Sequence, residues 1–378
     1  MEPALAAWLT SEEAVPALAA ASAEQDPGSL GAAERLRRLF SPEQAAAALS
    51  QAALRRRAVA KFGARADTLF FTPDGLEQAT RAEVAAWRAA RFAAAGVTTV
   101  ADLGCGLGAD ALAFADVGIT VRAVDADPAT AILASANLGT PVTCADAVAA
   151  ADGLLSDGAA VFLDPARRTA SGRTWRVADF SPPWDFAVGL LDGRFGCIKA
   201  APGLPSALIP DGAGATWVSH HGDLVETTLW SDGDRRAVLL PAADELVVSG
   251  DRAPVGALGA YLYEPDPAVL RSGAIAALAE QLDARRPWDG IGYLCADRLV
   301  ATPFAQAFAV EEDLPFDERT LRAWVREHQI GILEIKCRGV DVDPAALRRR
   351  LKPHGRVAAT LVLTPTQDGV RALVVSRV

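Results

Sequence analysis

Cysteine is scarce and scattered in this chain of 378 residues, and its five cysteines include no Cys-x-x-Cys pair. An odd, widely spaced set argues against a disulfide framework and against a structural zinc site, so no metal centre is expected. Reduced, mostly buried thiols are expected instead, at Cys105, Cys144, Cys197, Cys295 and Cys337.

Long apolar runs and a basic N-terminal segment are also missing. The alanine-rich stretches are interrupted by Arg, Glu, Asp or Gly before they reach the roughly 20 residues that span a bilayer. Residues 1–25 carry four glutamates and no basic residue, whereas a secretory signal begins with positive charge. We therefore expect neither export nor a membrane partner, and predict a cytoplasmic protein.

The composition is that of a soluble folded protein, with 51% apolar and 22% charged residues. The length exceeds what one hydrophobic core usually organises, so two domains and a helical appendage are expected. The net charge of −10 weighs against a surface built for nonspecific nucleic-acid binding, although a local basic groove is compatible with it.

Three regions follow from the pattern along the chain. Residues 1–66 are rich in helix formers, and Ser41-Pro42-Glu43-Gln44 combines an N-cap, a proline at the first helical position and a glutamine at the third. Residues 67–250 hold short apolar runs that alternate with helical stretches, which predicts a parallel α/β sheet. Three closely spaced strands predict an antiparallel end to this sheet, at 216–219, 226–230 and 236–240.

The third region, residues 251–378, opens with a linker at 251–254. Helices are predicted at 266–282 and 317–328. The last part then shows a strand, a helix and two strands, at 331–336, 343–351, 357–363 and 370–375. This order predicts a separate small α/β domain.

A glycine-rich turn joins the first strand of the middle region to a helix, in Val100-Ala101-Asp102-Leu103-Gly104-Cys105-Gly106-Leu107-Gly108-Ala109-Asp110. Glycine permits positive φ and lets the backbone pass close to a ligand, while the following helix presents its amide-rich N-terminus. Taken alone, the loop is also compatible with a plain strand-to-helix turn. The candidate cofactor contacts in it are Asp102, Gly104, Cys105, Gly106 and Gly108.

Two further acids follow strands. Asp125 ends the second strand, 19 residues after Gly106, where a carboxylate can accept hydrogen bonds from both hydroxyls of a ribose, and Ala126 lies beside it. Asp146 follows the third strand, within reach of an adenine amino group. Each also has a structural interpretation, because Asp125 begins a turn that Asp127 can cap, and Asp146 is compatible with a solvated loop acid.

Together these residues resemble class I S-adenosylmethionine-dependent methyltransferases, whose glycine motif reads Asp-x-Gly-x-Gly-x-Gly and whose second and third strands end in acids. The resemblance covers residues 97–240 and implies a Rossmann-like, mainly parallel seven-stranded sheet with S-adenosylmethionine as cofactor. It implies that Asp102 and the glycine loop hold the methionine end, Asp125 the ribose and Asp146 the adenine. A nicotinamide-binding loop has different glycine spacing and does not require the leading Asp102.

The fourth strand runs into Phe162-Leu163-Asp164-Pro165-Ala166-Arg167-Arg168. Amino-group methyltransferases carry an acid or amide here, then Pro-Pro and an aromatic. The resemblance implies that Asp164 and the Pro165 carbonyl orient a target amine for in-line transfer. Ala166 and Arg167 depart from that pattern and leave the target atom open. Arg167 and Arg168 can hold a phosphate or carboxylate of the substrate, or pair with nearby acids.

Two other segments bear on the substrate pocket. Ser181-Pro182-Pro183-Trp184 matches the amine-methylating tetrapeptide by its letters, but no apolar strand precedes it, so it is expected to wall the pocket. Residues 70–80 resemble the segment that closes over the cofactor in trimethylguanosine-synthase-like enzymes, with Phe71 as a candidate substrate contact. An ordinary packing loop is the alternative.

Side chains after the later strands are also candidates. Lys199 follows the fifth strand and is a candidate substrate contact. His220 and His221 are adjacent on a strand and point to opposite faces, so at most one of them is expected to face the pocket.

The C-terminal region resembles the THUMP-like domains that follow the catalytic domain in some bacterial methyltransferases. That resemblance implies RNA as a partner, bound through phosphate contacts to a basic surface. A solvated helix face is the alternative for the basic residues concerned, which are Lys336, Arg338, Arg348, Arg349, Arg350, Lys352 and Arg356.

The sequence therefore favours an S-adenosylmethionine-dependent methyltransferase that acts on a base nitrogen of RNA. One alternative is methylation of a small anionic metabolite, with Arg167 and Arg168 as the anion clamp. The other is a noncatalytic S-adenosylmethionine-binding protein in which Asp164-Pro165-Ala166 has lost the amine-methylating geometry.

Overall fold

The structure, a computed structural model, describes residues 1–167, 179–250 and 252–378. They form two compact units, residues 1–214 with 226–233 and residues 215–225 with 234–378. The α-helices, in chain order, are α1 Pro3–Leu9, α2 Val15–Ala23, α3 Leu30–Arg37, α4 Pro42–Phe62, α5 Pro73–Gln78, α6 Ala82–Ala94, α7 Ala109–Asp116, α8 Pro128–Leu138, α9 Ala147–Leu154, α10 Trp184–Gly189, α11 Pro267–Ser272, α12 Ile275–Leu282, α13 Glu318–Glu327 and α14 Pro344–Leu351.

The strands, in chain order, are β1 Thr99–Leu103, β2 Thr120–Asp125, β3 Thr143–Cys144, β4 Ala160–Leu163, β5 Ala166–Arg167, β6 Phe180–Ser181, β7 Gly196–Ala200, β8 Gly214–His220, β9 Asp223–Trp230, β10 Arg235–Leu240, β11 Asp244–Val247, β12 Tyr261–Pro265, β13 Leu294–Ala296, β14 Ala305–Pro315, β15 Ile330–Cys337, β16 Val357–Thr366 and β17 Gly369–Arg377. Helices and strands thus alternate in the middle region, and the predicted α/β class is confirmed.

The N-terminal helices pack through alanine. The capping box that the sequence predicts is present, since Ser41 Oγ accepts from the Gln44 amide at 3.3 Å and Gln44 Oε1 accepts from the Ser41 amide at 3.2 Å. Small side chains let α2, α3 and α4 approach closely, and one buried cluster joins them, made of Ala17, Ala21, Ala32, Leu36, Ala45, Ala48, Leu49 and Ala52.

The main sheet of the first unit has the order β3-β2-β1-β4-β7-β9. Strands β3, β2, β1, β4 and β7 are parallel, and β9 runs antiparallel to β7. The carboxyl ends of the parallel strands therefore share one edge, so the loops after β1, β2, β3, β4 and β7 meet there. This edge carries the sequence-predicted site residues.

The expected antiparallel arrangement of the next strands is wrong in one respect. In the second unit β10 pairs with β8 in parallel, and only β11 pairs with β10 in antiparallel orientation. The reason is topological. The chain reverses direction between β8 and β9 and again before β10, so β10 runs in the same direction as β8.

The rest of the second unit is built on a sheet of order β13-β12-β14-β17-β16-β15, in which only the β15–β16 pairing is parallel. The predicted single helix over 266–282 is instead two, because the chain turns at Gly273, whose φ is +86°. Helices α13 and α14 cover one face of this sheet through Leu321, Leu347, Leu333 and Leu361. No helix in the described ranges combines the length and apolar character needed to cross a membrane.

Candidate functional site

The loop after β1 takes a conformation that only glycine adopts without strain. Gly104, Gly106 and Gly108 have φ of +97°, +55° and +84°. The amides of Gly104 and Cys105 both donate to the Val124 carbonyl at 2.9 Å, which fastens the loop to the end of β2. A β-carbon on Gly104 or Gly106 would meet nothing within 4 Å, so the backbone there borders open space. Burial raises the pKa of the Cys105 thiol, which favours its neutral form.

Asp125 holds the same loop from the end of β2. Its Oδ2 accepts from the Gly106 amide and its Oδ1 from the Asp127 amide, both at 2.9 Å. Burial raises the pKa of Asp125 more than these two hydrogen bonds lower it. Each carboxylate oxygen has a second lone pair, so Asp125 can still accept from a ligand. The adjacent Ala126 is exposed.

Asp146 has a structural task in addition to the predicted one. Its Oδ1 accepts from the amides of Val148 and Ala149, at 2.9 and 3.1 Å, and so caps α9. The side chain is exposed at the same edge of the sheet as Asp125. Contact with an adenine stays a prediction.

Asp102 is the most unusual group of the site. It is 1% exposed, and among the described residues neither of its carboxylate oxygens has a hydrogen-bond partner. Burial, followed by the charges of Asp110, Asp164 and Asp125, raises the pKa of Asp102 well above its ordinary value. A buried carboxylate without a partner is costly, and a cationic ligand would relieve that cost. The ammonium and sulfonium groups of S-adenosylmethionine fit this requirement.

One cleft brings the glycine loop together with the acids of β1 and β4. Asp102, the glycine loop and Asp164 share it with residues of α5 and the turn after it. The cleft is lined by Gly75, Gln78, Ala79, Thr80, Asp102, Gly104, Cys105, Gly106, Leu107, Ala109, Asp110, Phe162 and Asp164.

The segment before α5 is held by two side-chain amides. Gln51 exchanges hydrogen bonds with the backbone of Phe71, at 2.6 and 3.0 Å, and Asn137 does the same with Phe70, at 2.7 and 3.0 Å. Lys61 then donates to three carbonyls at the end of α5, those of Leu76, Glu77 and Ala79. These bonds fix the wall of the cleft formed by residues 75–80.

Phe71 itself lies in the core. It is 1% exposed, and its ring lies 5.4 Å from that of Phe62, centroid to centroid. These contacts fit the packing interpretation of the segment, so Phe71 is not retained as a substrate contact in the proposals below.

Lys199 does not project freely toward a substrate. Its Nζ donates to Asp164 Oδ2 at 2.5 Å and to Thr80 Oγ1 at 3.0 Å. Burial lowers the pKa of Lys199, but the carboxylates of Asp164, Asp110 and Glu226 outweigh burial and raise that pKa above its ordinary value. The side chain is therefore a fixed cation whose partner is the predicted catalytic acid.

A buried ion network continues from Thr80 and was missed by sequence reasoning. Thr80 Oγ1 donates to Asp110 Oδ2 at 2.6 Å, and Arg88 bridges Asp110 and Glu226, the latter at 2.5 Å. Arg88 is 0% exposed and lies 5.0 Å from the Phe162 ring. Its position among Ala85, Ala89 and Phe92 on the apolar face of α6 is the one sequence signal that could have revealed it.

The corner after β4 is described in part. Pro165 is buried, and Ala166 pairs with Ser181 in a short antiparallel ladder, which places Ser181 beside the corner. Trp184 is buried with its ring 4.9 Å from that of Phe180. The side chain of Arg167, and Arg168 as a whole, lie outside the described part of the chain. His220 and His221 belong to the second unit and contact each other, with ring centroids 4.4 Å apart.

The basic residues of the second unit separate into two groups. Lys336 and Arg338 pair with Glu264, at 2.7 and 3.6 Å, and Arg350 pairs with Glu318 at 2.6 Å. The other group is exposed around two clefts at the ends of α13 and α14. It comprises Arg319, Arg322, Arg326, Arg348, Arg349, Lys352 and Arg356.

The sheet order, the glycine loop and the acids at the carboxyl edge define an α/β protein that binds a nucleoside cofactor. An S-adenosylmethionine-dependent methyltransferase of Mycobacterium tuberculosis strain H37Rv, itself uncharacterised, is 33% identical over 82% of this chain and 90% of its own length. Its counterpart in strain CDC 1551 gives the same values. The chain therefore belongs to the S-adenosylmethionine-dependent methyltransferases, and S-adenosylmethionine is its cofactor.

Further comparisons agree with the fold. A protein from Porphyromonas gingivalis W83, assigned as a methyltransferase, has a similar structure, with a TM-score of 0.79, 22% identity and coverage of 97% of this chain and 98% of its own. A THUMP domain-like family matches residues 305–377. A domain of unknown function, DUF8688, matches residues 2–58.

Proposed function

We propose that this enzyme methylates a base nitrogen of RNA, with Asp164 as the residue that orients the acceptor. The observation that carries the proposal is the position of Asp164, whose carboxylate lines the same cleft as the glycine loop and Asp102. A carboxylate there accepts a hydrogen bond from an N–H group, which is the polarity that a base amine offers. An anionic acceptor would instead be repelled by Asp102, Asp110 and Asp164 together.

In this proposal the cofactor residues are those predicted above. When bound, S-adenosylmethionine supplies an electrophilic methyl group. Asp102 holds the cationic methionine end, the glycine loop lets the backbone approach it, and Asp125 with Ala126 receives the ribose. Asp146 receives the adenine through the carboxylate oxygen that does not cap α9. Asp164 and the Pro165 carbonyl position the acceptor nitrogen, which is mainly an effect of orientation.

RNA as the substrate class is supported by the second unit. Arg319, Arg322 and Arg326 recur at spacings of three and four on the exposed face of α13, so they point the same way. Lys352 and Arg356 are exposed where α14 ends, around the same clefts. A cluster of exposed cations on a THUMP-like domain suits a phosphate backbone, because each neutralised phosphate releases counterions.

The remaining parts of the proposal concern location and domain limits. Reduced thiols agree with a cytoplasmic enzyme, and all five cysteines are free. We assign residues 1–66 to a helical region, 67–250 to the methyltransferase domain and 251–378 to the C-terminal region that ends in the THUMP-like domain.

Comparative mass spectrometry of nucleosides tests the substrate class. RNA from a deletion strain should lack one base methylation that is present in the parent. Complementation with the wild-type gene should restore that mark, and complementation with an Asp164→Asn gene should not. RNA that keeps every methyl mark would reject the RNA proposal, and a methylated metabolite missing from the same cells would identify the substrate as a small molecule.

A further inference from the structure

An unbroken chain of hydrogen bonds and ion pairs runs from the interior of the first unit to the predicted catalytic corner. In order along the chain of contacts, its members are Glu226, Arg88, Asp110, Thr80, Lys199 and Asp164. Five of the six are charged, and all but Lys199 and Asp164 are buried below a tenth of their surface. Elements α6, α7, β4, β7 and β9 each contribute one member, so the chain of contacts is anchored at many points.

The charges in this arrangement have a specific consequence for the cleft. Three carboxylates line it, those of Asp102, Asp110 and Asp164. The two fixed cations are assigned to only two of them, Arg88 to Asp110 and Lys199 to Asp164. Asp102 is left without a partner among the described residues. The protein thus reserves one acid for a cationic ligand and immobilises the other two.

Lys199 restrains Asp164 in a particular way. Its ammonium group engages Oδ2 of Asp164 and is itself held by Thr80, a residue of the cleft wall. With Oδ2 bound, Oδ1 remains the oxygen available to an acceptor N–H. An ion pair at 2.5 Å that is mostly shielded from water holds a side chain more firmly than a solvated pair does.

We propose that Lys199 and Thr80 are positioning residues, which hold the Asp164 carboxylate in the orientation that receives the acceptor nitrogen. The inference rests on the proposed catalytic role of Asp164, but the ion pair itself exists or fails independently of that role. It also replaces the predicted function of Lys199, from a substrate contact to a residue that acts through Asp164. Arg88 and Glu226 anchor the far end of the network in the core.

The ion pair can be tested without any substrate, because the chain contains only four lysines, at 61, 199, 336 and 352. Ammonium groups that are buried and hydrogen-bonded exchange slowly with water and give separate proton–nitrogen NMR signals in ¹⁵N-labelled protein. Lys199→Met assigns the Lys199 signal by its loss. Lys61 is the internal control, since its Nζ is held by three carbonyls that the variants do not touch.

The expected result is that Asp164→Asn and Thr80→Val shift or broaden the Lys199 signal and leave the Lys61 signal in place. Thr80→Ser, which keeps the hydroxyl, should preserve both signals. A Lys199 signal that is absent from the wild-type protein, or that does not respond to Asp164→Asn, would overturn the inference even if the enzyme methylates RNA.

Kinetics then tests whether the positioning matters. The probe is bulk RNA from deletion cells with tritiated S-adenosylmethionine, and Thr68→Val, an exposed threonine outside the network, is the control for Thr80→Val. Misplacement of a reacting group by about 1 Å costs about 100-fold. Lys199→Met and Thr80→Val should therefore lower kcat about 10- to 100-fold, while the Kd for S-adenosylmethionine by calorimetry changes less than about threefold. Thr80→Ser should recover most of the kcat.

The outcomes separate the two proposals. Unchanged kcat in Lys199→Met would refute the positioning role. A parallel loss of cofactor affinity, kcat and thermal stability would show a purely structural role and would also refute it. If wild-type enzyme labels no RNA, the RNA proposal fails, and the ammonium spectrum of the preceding test still decides whether Lys199 holds Asp164.

Discussion

Arg88 offers the sharpest test of the buried network, because its guanidinium is completely enclosed and has two acidic partners. Replacing it by Met keeps the aliphatic stem over Phe162 but leaves Asp110 and Glu226 without their cation. Removing one member of a buried ion pair costs about 3–5 kcal/mol, since the remaining charge stays desolvated. We expect Arg88→Met to reduce the free energy of unfolding of the first unit by an amount in that range.

The pH dependence of this effect has a definite sign. Burial already raises the pKa of Glu226, and the nearby Arg88 is the main opposing influence. Without Arg88 that pKa rises further. A carboxyl group whose folded pKa lies above its unfolded pKa destabilises the fold at higher pH, and this penalty disappears as the pH falls through the folded pKa. The stability deficit of Arg88→Met should therefore shrink as the pH is lowered from 8 toward 5.

Urea unfolding at several pH values, followed by tryptophan fluorescence, measures both effects. Trp87 and Trp230 report on this region, since their ring centroids lie 6.0 Å apart beside the network. Arg65→Met is the matched control, because Arg65 pairs with Asp116 at the surface and such pairs are worth at most about 1 kcal/mol. A loss for Arg88→Met no larger than that of the control, or a deficit that grows as the pH falls, would refute the reasoning.

Three further predictions concern ligand binding. Asp102→Asn should weaken S-adenosylmethionine binding about 10- to 100-fold and abolish the proton release that calorimetry in buffers of different ionisation enthalpy detects below neutral pH, because cation binding favours the ionised form of Asp102, whose pKa is raised; proton release that persists in Asp102→Asn would contradict this. Gly104→Ala should lower the same affinity about tenfold since φ is +97°, whereas Gly189→Ala, in open space on α10, should not, and equal effects would remove the conformational argument. Arg326→Ala with Arg356→Ala should weaken RNA binding and flatten its dependence on salt by about one unit of slope per lost phosphate contact in filter binding, and an unchanged slope would place the RNA elsewhere.

Local sequence signals predicted local structure well. The capping box at Ser41 and Gln44 depends on residues three positions apart, and it is present. The glycine loop and the acid that ends β2 were legible for the same reason, since strand, turn and helix follow one another within a short stretch. Their hydrogen bond, from the Gly106 amide to Asp125, joins adjacent strands of the sheet.

Features that depend on distant contacts were not predictable in this way. Arg88 and Glu226 are 138 residues apart in sequence, and nothing local to either shows that they meet. Lys199 was noticed only for its place after a strand, while its partner Asp164 depends on how β4 and β7 pair. Strand β14 was missed because its second half is charged, at Glu311, Glu312 and Asp313, and its residues are mostly half-buried or exposed.

The most direct test of the whole account is methyl transfer by the purified enzyme. Tritiated S-adenosylmethionine and bulk RNA from deletion cells are incubated with wild-type protein or with Asp164→Asn, after calorimetry has shown that both bind the cofactor. The account predicts that wild-type enzyme labels one nucleoside on a base nitrogen and that Asp164→Asn labels it at least about tenfold more slowly. Label on a carbon or a ribose, label in no RNA fraction, or equal rates for the two proteins would contradict it.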